Sequence, residues 1–125
     1  MQPKTILVVD DEFFNAEVLA FMLENEGYRV LCASNGRDGL QTLRQVPVDL
    51  VVVDLMMPIM DGAEMAQAMR ADGNLTSIPI LMTSALSEAA ARSIFDGFDS
   101  FLQKPFLIKD ALDRLTALLR AKGDD

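Results

Sequence analysis

Four short stretches carry residue types able to do chemistry together: Asp10-Asp11-Glu12, Asp54, Thr83-Ser84 and Lys104. Each stands at the end of an apolar run. "TILVVD" closes on Asp10, "DLVVVD" on Asp54, "IPILMTSA" carries Thr83 and Ser84, and "SFLQKPF" carries Lys104 before Pro105. Delivering a carboxylate to the end of a buried run is costly unless the charge is paired or bound to metal. If the first and third runs are neighbours, Asp10, Asp11 and Asp54 crowd together. Two carboxylates about 4 Å apart repel by roughly 4 kcal/mol at an effective dielectric of 20. Protonation of one group relieves this, and so does a bound cation. A small hard cation held by a few carboxylates and several waters is the usual Mg²⁺ arrangement. Lys104 would add a fixed positive charge and Ser84 a hydroxyl donor. These are the parts of a phosphoryl-transfer site with Asp54 as nucleophile.

Taken singly, each residue has a plainer meaning. Asp-Asp-Glu can cap a helix, Asp54 a loop, and Lys104 can be a solvated strand end. Ser84 alone says almost nothing. Their joint occurrence at four run ends is what favours a site.

The rest of the composition narrows the chemistry. There is no His among the 125 residues, which removes Ser-His-Asp and Cys-His catalysis and any His-containing zinc site. Cys32 is the one cysteine, so no internal disulfide forms and a reducing compartment fits. Within "YRVLCAS" it is expected to be a buried packing residue. Lys and Arg number 11 against 19 Asp and Glu, a net charge of -8. That charge argues against direct binding to nucleic acid or anionic lipid. No apolar run approaches the roughly eighteen residues of a membrane span. "MQPKTILVVDDE" lacks the features of a signal peptide, and a cytoplasmic location is expected.

The elements that must position these residues alternate along the chain. Strands are expected at "TILVVD", "YRVLCAS", "DLVVVD", "IPILMTSA" and "SFLQKPF". Between them fall helical patterns. "NAEVLAFMLENEG" has Val18, Phe21 and Met22 at helical spacing and closes on Gly27. "GRDGLQTLRQV" turns Leu40 and Leu43 inward, and Asp61 to Glu64 has capping-box spacing before "EMAQAMRAD". "SEAAARSIFDGF" and "IKDALDRLTALLRAK" are the last two helices, the second carrying Leu112, Leu115, Leu118 and Leu119. The eight Met residues fall mostly at core spacings and are expected to pack. Five strands alternating with five helices predict an α/β fold with a doubly wound parallel sheet in one domain. Ligands of such sheets bind outside the carboxyl ends of the strands. Only the final "KGDD" has a frayed composition.

"ILVVDDE", "DLVVVDLMMPIMDG", "IPILMTSA" and "FLQKPF" together resemble the receiver domain of two-component response regulators, the CheY-like family. The resemblance covers essentially the whole chain and implies a flavodoxin-like strand order of 2-1-3-4-5. It further implies that Asp54 accepts a phosphoryl group from the phosphohistidine of a sensor histidine kinase or phosphotransfer protein. Asp11 would ligate Mg²⁺ directly, with Asp54 and the backbone carbonyl of Met56, while Asp10 holds metal-bound water. Lys104 would pair with a phosphoryl oxygen, and the Lys104-Pro105 bond would be cis. Ser84, followed by the small Ala85, resembles the switch hydroxyl, and Phe101 the switch aromatic that turns inward with it. Met56 and Leu86, two residues beyond the acceptor and the switch hydroxyl, occupy the positions that set dephosphorylation rate. Output is expected through the fourth helix, fifth strand and fifth helix, toward a protein target or a second copy. The signalling module would assist its own phosphorylation and dephosphorylation without being an enzyme for another substrate.

Three departures stand out. Phe101 has no phenolic hydroxyl, "LIKD" lacks a Ser or Thr cap, and Ser100 replaces an acidic residue. Asp110 and Arg114 keep the spacing of a dimer-face pair, which an ordinary surface helix pair explains equally well. A degenerate receiver used only for docking, a dehalogenase-like phosphatase and a flavodoxin are the competing readings. The phosphatase would need Asp-x-Asp after the first strand, and the flavodoxin a Ser/Thr/Gly-rich loop there. Residues 1–125 are expected to form the receiver alone, without an output domain.

Overall fold

The computed structural model describes residues 2–122. The frayed end expected over 122–125 lies, past Lys122, outside them. Five strands and five helices alternate: β1 (Thr5–Val9), α1 (Phe13–Asn25), β2 (Arg29–Ala33), α2 (Gly36–Gln45), β3 (Leu50–Asp54), α3 (Gly62–Ala71), β4 (Ile80–Ser84), α4 (Glu88–Ile94), β5 (Ser100–Gln103) and α5 (Ile108–Ala121). All strand pairs are parallel, in the order β2-β1-β3-β4-β5. Sheet order and element order are those expected from the run pattern and the resemblance.

β1, β3 and β4 are buried at every position. Helices cover both faces of these strands, which is why they read as continuous apolar runs rather than alternating ones. Val9, Val51, Val53, Met82 and Phe101 share one core with Leu40, Leu43, Met65, Met69 and Ala91 of α2, α3 and α4. Ile6, Val8, Leu50, Val52, Leu81 and Leu102 share the other with Leu19 and Leu23 of α1 and Leu115 and Leu119 of α5.

Three expectations change. Cys32 is exposed, because β2 is an edge strand and its outer positions are uncovered. On α1 the buried residues are Ala16, Leu19 and Leu23, while Val18, Phe21 and Met22 lie outward. Both sets have helical spacing, and a helix apolar around most of its circumference does not declare its inner face. α4 ends at Ile94, short of the expected run through Phe98. Phe95 is extended there, and Phe98 turns in to pack at 5% exposure. Arg92 holds that turn, donating to the carbonyls of Asp96 and Phe98 at 3.4 and 3.2 Å.

The helix ends follow their sequence signals. Asp61 and Glu64 form the reciprocal capping box, Gly27 takes a left-handed φ of 96° after α1, and α5 starts without a side-chain cap. Gly62 opens α3 against the end of β3. A Cβ there would sit 2.4 Å from the Asp54 carbonyl oxygen and 2.9 Å from Leu55 Cα. Those are backbone atoms that cannot swing aside. Gly62→Ala is therefore expected to cost about 1–3 kcal/mol through overpacking. Gly73→Ala, with nothing within 4 Å of its added carbon, should cost nothing. Urea denaturation of both variants beside wild type measures the difference.

Candidate functional site

The carboxyl ends of β1, β3, β4 and β5 converge. Asp54 is the last residue of β3 and stands in register with Thr83 of β4. Asp10 follows β1, its N–H donating to the Ala33 carbonyl at 3.0 Å. Asp10 Oδ1 accepts the Glu12 N–H at 2.9 Å, a turn that leaves Asp11 exposed beside it. Lys104 follows β5, with its N–H on the Ser84 carbonyl at 2.7 Å and a cis bond to Pro105. Its Nζ reaches back across the sheet, 3.0 Å from Asp10 Oδ2 and 3.3 Å from Asp54 Oδ1.

Asp10, Asp11 and Asp54 each offer a carboxylate oxygen, and the three lie within 4.8 Å of one another. Hard oxygen donors at that spacing, two buried and one facing solvent, are compatible with a small divalent cation that keeps several waters. The electrostatics of the cluster favour added positive charge. Burial pushes the Asp54 carboxyl up to about 6; Lys104 pulls it back, and Asp10 adds to the rise. Burial also works against the charged form of Lys104. The Asp10 hydrogen bond and the charges of Asp54 and Asp10 together outweigh it, so Lys104 is raised and stays an ammonium. One lysine therefore compensates the cluster only in part.

Two hydroxyls lie close by, and they are placed differently from expectation. Ser84 is buried, and its Oγ accepts the Leu86 N–H at 3.1 Å instead of contacting Asp54. Thr83, unassigned in the sequence, directs Oγ1 to Asp54 Oδ1 at 3.5 Å. Strand register was the signal that would have found it. Phe101 is already inward at 4% exposure, its ring 6.0 Å from that of Phe98, over which Arg92 lies at 4.1 Å. An inward Phe101 thus coexists with a Ser84 hydroxyl turned to its own loop. Met56 and Leu86 are exposed at the rim, at 63% and 39%. Ile59, between β3 and α3, has a φ of 71°, a strained value for a β-branched residue. Arg114 binds the Phe101 carbonyl at 2.6 Å, which ties α5 to β5 rather than pairing with Asp110.

Residues 6–116 match the model of the response regulator receiver domain. The chain belongs to that family. It is 39% identical to a "Probable transcriptional regulatory protein" of Picosynechococcus sp., covering 92% of this chain and 49% of that protein. It is 34% identical to the DNA-binding response regulator MtrA of Mycobacterium tuberculosis, covering 96% and 52%. Among solved structures, the receiver domain of a sensor histidine kinase from Pseudomonas aeruginosa PAO1 superposes with a TM-score of 0.86. It is 25% identical over 94% of this chain and 98% of that one, and has a magnesium ion coordinated in its active site cleft. The receiver spans about half the length of its two curated relatives.

The expectation that nucleic acid is no partner does not stand. MtrA is named as DNA-binding. A net charge of -8 belongs to the receiver and does not bear on what another part of a protein twice its length binds. Among the described residues no helix is long and apolar enough to cross a membrane.

The raised carboxyl sets a pH dependence. In the unfolded chain Asp54 ionises near its ordinary 3.8, in the fold near 6, so the fold disfavours its ionised form. The cost is absent below about pH 4, grows through the interval and is complete above about 6. Asp54→Asn removes it. In metal-free buffer the variant should be more stable than wild type by about 1–3 kcal/mol at pH 7.5. The gap should close by pH 4, as followed by urea denaturation at both values.

Proposed function

We propose that this receiver takes a phosphoryl group onto Asp54 from a sensor histidine kinase, and that this event controls an output. The observation that carries the proposal is the Asp54 carboxylate at the end of β3, shared between Lys104 Nζ and the acidic pair at the end of β1. In-line transfer between oxygen and nitrogen needs little covalent help from the protein; positioning and charge stabilisation supply most of the rate.

Asp54 attacks through a carboxylate oxygen while Lys104 stands ready for an oxygen of the transferred group. Asp10 anchors Lys104 at 3.0 Å and so aims it. Asp11, exposed beside them, and Asp10 with Asp54 would hold Mg²⁺, joined by the Met56 backbone carbonyl. The ion supplies charge neutralisation for the phosphoryl oxygens. Magnesium in the cleft of the Pseudomonas receiver supports that choice of cation.

Ser84 is proposed as the switch hydroxyl, leaving its bond to the Leu86 N–H for the phosphoryl group. Phe101 starts inward, so rearrangement at the α4–β5–α5 face would centre on the loop after Ser84 and the seven-residue α4. A two-state element biased by phosphorylation is what a population shift requires. MtrA, named as DNA-binding, supports a nucleic-acid-binding output under such control. Met56 and Leu86 offer no strong hydrogen bond to orient an attacking water, so the phosphoryl group should persist.

Acetyl phosphate with Mg²⁺ should add one phosphoryl group to wild type, read by intact mass. Asp54→Asn and Asp11→Ala should stay unlabelled, and chelation should abolish labelling. After donor removal the label should decay slowly. Equal labelling of wild type and Asp54→Asn would overturn the assignment.

A further inference from the structure

Thr83 holds a place that neither the acceptor cluster nor the switch accounts for. Its backbone is pinned on both sides: its carbonyl accepts the Leu55 N–H at 2.8 Å, and its Cα stands in register with Asp54 and Leu102. A β-branched side chain on a buried strand has few rotamers, and this one is only 3% exposed. The hydroxyl points to Asp54 Oδ1 at 3.5 Å. Lys104 Nζ meets that same oxygen at 3.3 Å. Two donors thus approach one oxygen, one from β4 and one from just past the end of β5.

We propose that Thr83 is a positioning residue for phosphoryl transfer, holding Oδ1 so that Asp54 presents Oδ2 to the incoming phosphorus. The proposal rests on Asp54 being the acceptor. The Oδ2–P bond forms as the donor's bond to phosphorus breaks, and the bonding electron pair leaves with the imidazole nitrogen of a phosphohistidine or the oxygen of acetate. Thr83 keeps its proton throughout. A donor bond that is long before the substrate binds tightens as the reacting geometry forms. In the phosphorylated product Oδ1 becomes the carbonyl oxygen of the acyl phosphate, still an acceptor for the same hydroxyl.

Valine matches threonine in shape and lacks the hydroxyl, so Thr83→Val tests the contact without opening a cavity. Thr83→Ser keeps the hydroxyl and loses only a methyl group. Labelling rates would be measured across a range of acetyl phosphate concentrations with Mg²⁺, with melting curves recorded for every variant. Thr83→Val should slow labelling about 10- to 100-fold at saturating donor, as befits one hydrogen bond to a charged group. The half-saturating concentration should be unchanged, and Thr83→Ser should recover most of the rate. Equal maximal rates for wild type and Thr83→Val would overturn the positioning role, as would a loss that Thr83→Ser fails to restore. Wild type and Asp54→Asn serve as controls that separate the two claims. An unlabelled wild type refutes the acceptor assignment, whereas a labelled wild type matched by Thr83→Val refutes only this one.

Discussion

The burial of one carboxylate organises the molecule. Asp54 is 7% exposed at the end of a strand covered on both faces, and desolvation raises its pKa further than Lys104 can lower it. Everything around it bears on that imbalance. β1 brings a second and third carboxylate to the same point and worsens the repulsion. β5, two strands away, contributes the lysine. The arrangement is stable enough to fold and is left short of positive charge, which is the state in which a cation, and then a phosphoryl group held with it, has the most to offer.

The backbone around this point is built to stay still. Lys104 and Leu55 donate their N–H groups to the carbonyls of Ser84 and Thr83, so the strand ends are laced across β3, β4 and β5. Gly62 lets α3 begin directly against the Asp54 carbonyl, where any side chain would collide. The side chains of the proposed switch lie outside this backbone lattice. Ser84 has a local partner that it can leave, while Phe101 is already packed under Phe98 and the Arg92 guanidinium. The proposed switch therefore pairs a laced acceptor strand with a hydroxyl bonded only to its own loop.

Much of this was legible in the chain itself. Polar residues at the ends of apolar runs located Asp10, Asp11, Asp54 and Lys104 because strand ends are where an α/β sheet leaves room for ligands. The Asp61–Glu64 capping box located the start of α3 because its hydrogen bonds are local. What escaped depended on neighbours. Cys32 looked buried because its run is apolar, but only pairing reveals that β2 is an edge. The inner face of α1 escaped because Val18, Phe21 and Met22, at i, i+3 and i+4, are as helical in spacing as Ala16, Leu19 and Leu23, at i, i+3 and i+7. Thr83 went unassigned because its link to Asp54 is a matter of register between two strands 29 residues apart. The net charge argues against nucleic acid as a partner of these 125 residues, yet MtrA, of which this chain matches only 52%, is named as DNA-binding.

The central claim is that Asp54 is an undercompensated buried carboxylate awaiting a cation. Its ionisation can be followed directly through the side-chain carboxyl carbon by NMR titration, using Asp54→Asn to assign the signal. Without metal it should titrate near 6, and saturating Mg²⁺ should move the midpoint to lower pH. A midpoint near the ordinary 3.8 in metal-free protein, unmoved by Mg²⁺, would contradict the account.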